Sequence, residues 1–119
     1  MSISQLDVLV VDDDKDLADT VSEILTEYRH TVRVAYDLEG AFAEVSRSCP
    51  DVLISDLNLG PRSGSDLLES IMRTHPRVRR ILMTAAEPGT WRALMARDIA
   101  QLALRKPFAI GALVDAVEG

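Results

Sequence analysis

The chain is poor in cysteine, histidine and aromatic residues, with one cysteine, two histidines and 4% aromatic residues among 119 positions. The single cysteine, Cys49, excludes an internal disulfide, and we expect it to be a buried, inert thiol. His30 and His75 lie far apart, each without another cysteine or histidine nearby, so we expect no zinc site. We place both histidines in loops or at strand edges.

Long apolar runs are also missing. No stretch approaches the roughly 18 consecutive apolar residues of a membrane-spanning helix. The chain reaches an acidic residue at Asp7 without a basic start, which is not the pattern of a secretion signal. We therefore expect a cytoplasmic protein that contacts no membrane. A length of 119 residues suits a single domain over residues 1–119.

Positive charge is scarce in the first half of the chain. There are 14 acidic and 5 basic residues up to Asp66, 5 acidic and 8 basic residues after it, and the net charge is −6. Arg77, Arg79 and Arg80 form a basic cluster, but the acidic balance and the lack of interleaved aromatic residues argue against direct nucleic-acid binding. We interpret the cluster as a solvated turn between a helix and a strand. The acidic half should attract a cation.

Short apolar runs alternate with stretches of helical periodicity. We predict strands over residues 6–11, 31–35, 51–55, 80–84 and 101–105. The first, third and fourth runs are apolar throughout, as expected when helices cover both faces of a parallel sheet. Asp14, Asp37 and Thr90 occupy the predicted N-cap positions of three helices. The order predicts an α/β single domain with a five-stranded, doubly wound, flavodoxin-like (βα)5 parallel sheet.

Functional side chains stand at the carboxyl ends of four predicted strands: Asp12, Asp13, Asp56, Thr84 and Lys106. Ligands of an open parallel sheet bind at this edge. Three crowded carboxylates repel one another unless a positive charge compensates, and Mg²⁺ prefers such oxygen ligands. With the ammonium group of Lys106 and the hydroxyl of Thr84, the set suits phosphoryl transfer, in which catalysis is mainly positioning and charge neutralisation.

Asp56 is the predicted nucleophile. The residues after it, "LNLGP", do not start a helix, so a helix-capping role explains Asp56 poorly. A carboxylate can attack phosphorus to give an aspartyl phosphate. Asp12 and Asp13 are better placed as metal ligands, because Asp14 already accounts for the cap of the helix that follows.

Taken in order, these motifs resemble the receiver domain of two-component response regulators over nearly the whole chain, from Leu6 to about Val117. The matching segments are "VLVVDDD", "DVLISDLNLGPRSG", "ILMTA" and "RKPF". The resemblance implies that Asp56 accepts a phosphoryl group from a histidine kinase or a histidine phosphotransfer protein. It also implies a bacterial phosphorelay protein that does not turn over an external substrate.

The resemblance further implies the ligands of the site. Mg²⁺, or Mn²⁺, would be held by Asp13, Asp56 and the backbone carbonyl of Asn58, with Asp12 acting largely through water. Among the remaining groups, Thr84 and the backbone amide of Ala85 would bind phosphoryl oxygens. Lys106 would pair with the acceptor carboxylate before transfer and with the phosphoryl group afterwards, and the peptide bond before Pro107 would commonly be cis.

Phosphorylation in this family switches a surface formed by the fourth helix, the fifth predicted strand and the fifth helix. A downstream protein or an appended output domain would read that surface, and a homodimer could form through it. Receivers usually carry tyrosine or phenylalanine three residues before the lysine, but Ala103 stands here. Because a methyl group has no rotamer to change, we expect an atypical readout. Trp91 is a candidate substitute, although an apolar stripe with Leu94 and Met95 explains it more simply.

A second departure is Gly60, where receivers usually have proline; Pro61 follows it, so we expect the loop to trace a different or looser path. Two alternatives stay open. A phosphorylation-independent interaction module with the same fold is favoured by Gly60 and Ala103. A phosphatase of the haloacid dehalogenase type would use Asp12 as nucleophile and Asp14 as acid and base, but that family has threonine or valine where Asp16 stands.

Overall fold

A computed structural model describes residues 5–119. The elements are, in order, β1 (Asp7–Val11), α1 (Lys15–Glu27), β2 (Thr31–Ala35), α2 (Leu38–Arg47), β3 (Val52–Asp56), β4 (Asn58–Leu59), β5 (Arg62–Ser63), α3 (Gly64–Thr74), β6 (Arg79–Thr84), α4 (Pro88–Ala96), β7 (Leu102–Arg105) and α5 (Ile110–Glu118). Among these residues, no helix has both the length and the hydropathy needed to cross a bilayer.

The main sheet has five parallel strands in the order β2-β1-β3-β6-β7. The prediction of a five-stranded, doubly wound α/β domain is therefore confirmed. In this sheet β2 lies on one side of β1, and β3, β6 and β7 lie on the other side, so the strand order reverses between β1 and β3. In sheets of this kind a crevice opens at the carboxyl ends of the strands beside that reversal.

Helices cover both faces of the sheet, and this explains the unbroken apolar runs in the sequence. Leu9 and Val11 of β1 pack with buried residues of α2 and α3 on one face. Val8 and Val10 point to the other face, where they pack with buried residues of α1 and α5. All four side chains are fully buried. Burial of each side chain stabilises the folded state by about 1.5–3 kcal/mol. A polar residue at every second position of this strand would therefore lower stability.

The predicted N-caps are correct for α1 and α2 and wrong for α4. Asp14 accepts a hydrogen bond from the backbone of Leu17 at 3.1 Å, and Asp37 caps α2 in the same way. Helix α4 instead starts at Pro88, after Glu87, whose side chain makes no capping hydrogen bond. Proline suits the first helical position because its missing N–H would be unpaired there anyway. The helix therefore begins two residues before Thr90.

One further expectation needs correction, and another is confirmed with an addition. Cys49 is exposed, so the prediction of a buried thiol was wrong. His30 lies in the turn before β2, as expected, but it is buried. Its Nδ1 accepts the backbone N–H of Leu6 at 3.2 Å, and its Nε2 lies 2.8 Å from a carboxylate oxygen of Glu118. The side chain thus connects the start of the sheet to the end of α5.

Arg80 is the largest fully buried side chain among the described residues, with 1% of its surface exposed. Its guanidinium group donates to the backbone carbonyls of Pro76 (3.2 Å), Val78 (2.9 Å), Asp98 (3.0 Å) and Ile99 (3.0 Å). The last two carbonyls lie just after α4, so Arg80 fastens the end of that helix to β6. The interpretation of the basic cluster as a solvated turn was wrong for this residue.

We predict that Arg80→Met lowers the free energy of unfolding by about 3 kcal/mol or more, because buried carbonyls left unpaired cost about 1–3 kcal/mol each. Arg77→Met is the control, since it removes the same charge from an exposed neighbour and should change stability by less than about 0.5 kcal/mol. Urea denaturation followed by circular dichroism measures both variants. Equal effects of the two substitutions would contradict the role assigned to Arg80.

Candidate functional site

The structure brings all five strand-end residues to one edge of the sheet. Asp12 follows β1, Asp56 ends β3 and Thr84 ends β6, while Lys106 follows β7. Three of these side chains are buried: Asp12 and Thr84 are 0% exposed and Asp56 is 7% exposed. Asp13 faces the solvent, and the Lys106 side chain is 19% exposed. The result is a half-open crevice with charges of both signs.

Lys106 holds two of the three carboxylates. Its Nζ donates to Asp12 Oδ2 at 2.9 Å and to Asp56 Oδ2 at 3.1 Å. Its backbone N–H donates to the carbonyl of Thr84 at 2.8 Å, which fixes the start of the side chain beside β6. The peptide bond between Lys106 and Pro107 is cis. The ammonium group therefore neutralises carboxylates that come from two other strands.

The pKa values of this cluster follow from burial and pairing. Burial is the largest influence on Asp12 and raises the pKa of its carboxyl group, although hydrogen bonds from Asp14 and Lys106 oppose it. Burial also acts most strongly on Lys106, where it lowers the pKa of the ammonium group. The hydrogen bonds and charges of Asp12 and Asp56 together outweigh burial, so the pKa of Lys106 is raised. The lysine stays charged at neutral pH.

The carboxylates fit a hard divalent cation. Asp12, Asp13 and Asp56 each offer an oxygen, and the three oxygens lie within 4.8 Å of one another. Carboxylate oxygens at this spacing are the donor set that Mg²⁺ accepts. Asn58, the expected carbonyl ligand, lies two residues after Asp56, and its backbone N–H donates to Asp56 Oδ1 at 3.3 Å.

The loop after Asp56 turns back closely on its own strand. It contains the hairpin of β4 and β5, which the sequence did not predict, and the backbone N–H of Gly64 donates to the carbonyl of Leu57 at 2.7 Å. A Cβ atom added at Gly64 would lie only 1.8 Å from the backbone oxygen of Asp56. Only glycine fits there, so Gly64 sets the path of the loop that carries the hairpin.

The loop after β6 carries the remaining predicted groups. Thr84 Oγ1 accepts the backbone N–H of Ala86 at 3.0 Å, and Ala85 between them is exposed. The carbonyl of Ala86 accepts the indole N–H of Trp91 at 3.0 Å. Trp91 also packs against the core beneath α4. The apolar interpretation of Trp91 is thus correct but incomplete, because its hydrogen bond runs through a backbone group that leaves no sequence signal.

An apolar cavity of about 430 Å³ opens beside the crevice. It is lined by Leu17, Ala85, Lys106, Pro107 and Phe108. The cavity borders both the exposed residue Ala85 of the β6 loop and the lysine that pairs with Asp56, so a group that docks there would lie next to the carboxylate cluster.

Comparison with known proteins agrees with this arrangement. Residues 8–118 match the family model of the response regulator receiver domain. The nitrogen assimilation regulatory protein NtrX of Azorhizobium caulinodans is 36% identical over 80 residues, which are 66% of this chain and 18% of that protein. The crystal structure of the receiver domain of NtrX from Brucella abortus superposes with a TM-score of 0.86 at 28% identity, over 93% of this chain and 94% of that one.

A likeness to the chemotaxis response regulator CheY4 of Vibrio cholerae, at 24% identity and a TM-score of 0.85 over 96% of this chain and 97% of that one, shows the shared fold. The chain belongs to the response regulator receiver domain family, whose members act in two-component signalling. It spans 18%, 14% and 34% of the lengths of three curated relatives that it matches. The haloacid dehalogenase alternative is therefore wrong, and Asp14 serves as the cap of α1 instead.

We predict that Gly64→Ala lowers the free energy of unfolding by about 2 kcal/mol or more, because overpacking against backbone cannot be relieved by a rotamer change. Gly89→Ala in α4 is the matched control, since a Cβ atom there meets nothing within 4 Å. That control should leave stability unchanged or raise it by up to about 1 kcal/mol. Thermal and urea denaturation measure both variants. A Gly64→Ala protein as stable as the control would show that the loop can move away without cost.

Proposed function

We propose that this receiver domain accepts a phosphoryl group on Asp56 from a histidine kinase or a histidine phosphotransfer protein, with Mg²⁺ or Mn²⁺ as cofactor. The observation that carries the proposal is the pairing of Lys106 with Asp12 and Asp56 beside the exposed Asp13 carboxylate. A nucleophile, a fixed positive charge and oxygen ligands for a cation thus occupy one crevice. Those are the groups that phosphoryl transfer requires.

In the transfer step, an Asp56 carboxylate oxygen forms a bond to phosphorus while the bond from phosphorus to the histidine nitrogen breaks. The electron pair of the broken bond returns to the imidazole. Lys106 and the backbone N–H of Asn58 orient the Asp56 carboxylate before attack. When bound, Mg²⁺ would supply neutralisation of the charge on the phosphoryl oxygens, and Asp13, Asp56 and the Asn58 carbonyl would hold it, with Asp12 acting through water.

The β6 loop and Lys106 would then stabilise the phosphoryl group. Thr84 Oγ1 is the acceptor of the Ala86 amide, so its own hydroxyl hydrogen can turn toward a phosphoryl oxygen. The exposed backbone at Ala85 offers an N–H to a second oxygen. Lys106 would exchange its bond with Asp56 for one with the phosphoryl group, which keeps the positive charge beside the added negative charge. The domain would be modified on its own aspartate and would turn over no external substrate.

Phosphorylation can be detected by the mass of the intact protein. We expect the intact protein to gain the mass of one phosphoryl group when it is mixed with acetyl phosphate or phosphoramidate and Mg²⁺, and to gain nothing without the cation. Asp56→Asn should abolish the gain, while Asp66→Asn, which alters an exposed residue of α3, should keep it. Sedimentation of the same samples tests whether a homodimer forms through α4, β7 and α5. Failure to take up phosphate from any donor would overturn the proposal.

We infer that the readout is atypical and passes through Trp91. Ala103 lies in β7 at the position of the usual aromatic ring and offers only a methyl group. Trp91 is connected to the phosphoryl-binding loop by its bond to the Ala86 carbonyl. None of the residues of α4 is buried and its N-cap makes no side-chain hydrogen bond, so its first turn is held lightly. A shift of Thr84 and Ala86 toward a phosphoryl group would therefore move Trp91.

Trp91 fluorescence tests this readout. We expect the emission to change in intensity or wavelength when beryllofluoride and Mg²⁺ saturate the site, because the indole N–H loses or changes its acceptor. The change should be absent in Asp56→Asn. Unchanged emission in the wild-type protein at saturation, confirmed by calorimetry, would overturn the role of Trp91 without touching the phosphorylation proposal.

A second candidate is an interaction module that works without phosphorylation, which the small side chain of Ala103 favours. A downstream protein or an appended output domain would then recognise the face of α4, β7 and α5 in one fixed form. Titration with Mg²⁺ distinguishes the two functions, because a module without the chemistry has no need to bind the cation in the millimolar range. The intact pairing of Lys106 with two carboxylates favours the phosphoacceptor.

A further inference from the structure

The carboxylate of Asp13 is held differently from the other two in the cluster. Asp12 and Asp56 are buried and both accept hydrogen bonds from Lys106. Asp13 is exposed, and its Oδ2 accepts the backbone N–H of Gly60 at 3.0 Å. Within residues 5–119, the Asp13 carboxylate accepts its hydrogen bond from this amide. The side chain most open to solvent is thus restrained from the β4–β5 loop.

Glycine is favoured at position 60 by backbone conformation. Its φ is +66°, in the left-handed region that side chains with a Cβ disfavour. A Cβ atom there would meet nothing within 4 Å, so the constraint comes from φ rather than from space. Proline, which receivers usually carry here, has no N–H to donate and holds φ near about −65°. The departure at Gly60 therefore creates a hydrogen bond that the usual residue could not make.

The donor is itself well anchored. Leu59, directly before Gly60, is 2% exposed and belongs to the hydrophobic core. It pairs with Arg62 in the hairpin, and Gly64 ties the end of the loop to the carbonyl of Leu57. Because both flanks of Gly60 are held by other contacts, the position of the loop does not depend on Asp13. The Gly60 N–H therefore orients the Asp13 carboxylate.

This restraint matters for cation binding. An exposed carboxylate must give up rotamer freedom when it becomes a metal ligand, and a carboxylate already held in place gives up less. One Asp13 oxygen accepts the Gly60 N–H, which leaves the other oxygen for the ion. Hydrogen bonds to ligating carboxylates commonly set metal affinity in this way, and their removal typically costs about 10- to 100-fold.

We propose that the Gly60 amide is a positioning group that orients Asp13 for the divalent cation, so the metal affinity of this chain depends on its β4–β5 loop. The inference rests on the Mg²⁺ site of the proposed function. It adds to that site a backbone donor that binds the Asp13 carboxylate and does not contact the ion itself.

The sharpest test replaces Gly60 by glycolic acid, which converts one amide to an ester, removes the N–H, adds no side chain and keeps the freedom of φ. We expect the Mg²⁺ dissociation constant from isothermal titration calorimetry to rise about tenfold. In the wild-type protein, we also expect the Gly60 amide resonance to shift as Mg²⁺ is added, which a purely structural bond would not require. Asp13→Asn gives the reference for losing the ligand itself.

Two encoded variants provide a matched pair. Gly60→Asn keeps the N–H, and asparagine tolerates positive φ, so its affinity should stay within about threefold of wild type. Gly60→Pro removes the donor and should weaken binding at least as much as the ester. An ester variant that binds Mg²⁺ as tightly as the wild type would overturn this inference alone. A wild-type protein that binds no Mg²⁺ would overturn the proposed metal site and the inference with it.

Discussion

The ammonium group of Lys106 is the charge on which the functional edge of the sheet depends. Asp12 is fully buried and Asp56 nearly so, and two such carboxylates would repel each other if no cation lay between them. Lys106 follows β7, so its long side chain must reach past the end of β6 to meet carboxylates that follow β1 and end β3. The small side chain of Thr84 lies at the end of the intervening strand.

A second buried cation, Arg80, shows how similar charges serve different ends. Its planar guanidinium group donates to four backbone carbonyls, which match its fixed donors, and it also lies 3.6 Å from the exposed carboxylate of Asp98. Lys106 instead meets carboxylates in a crevice open to solvent, and an ammonium group on a flexible stem can change partners. The first arrangement is structural, and the second suits a group that has to follow a moving charge.

Helix α4 is held at its two ends by very different contacts. Arg80 clamps the backbone after the helix. The first turn is connected by the hydrogen bond from Trp91 to Ala86, by the packing of Trp91 against the core and by the exposed pair of Glu87 and Arg105 at 3.8 Å. Helix α3 contrasts with it, since four of its residues are buried and α4 has none among those described. A disturbance at the loop after β6 would therefore move the first turn of α4 and leave its clamped end in place. The sheet thus offers a fixed support beside a lightly held element.

The sequence was enough to predict the five strands of the main sheet, most of the helix positions and the edge at which the charged groups meet. Strands buried on both faces must be apolar throughout, which makes them recognisable in the sequence. The carboxyl ends of parallel strands share one edge, so Asp12, Asp56 and Lys106 could be assigned to the same site from the sequence. The burial of Arg80 and the hydrogen bond from Gly60 to Asp13 arise only when the chain is folded. Those contacts are made with backbone groups, which every residue carries, so the sequence shows neither their position nor their direction.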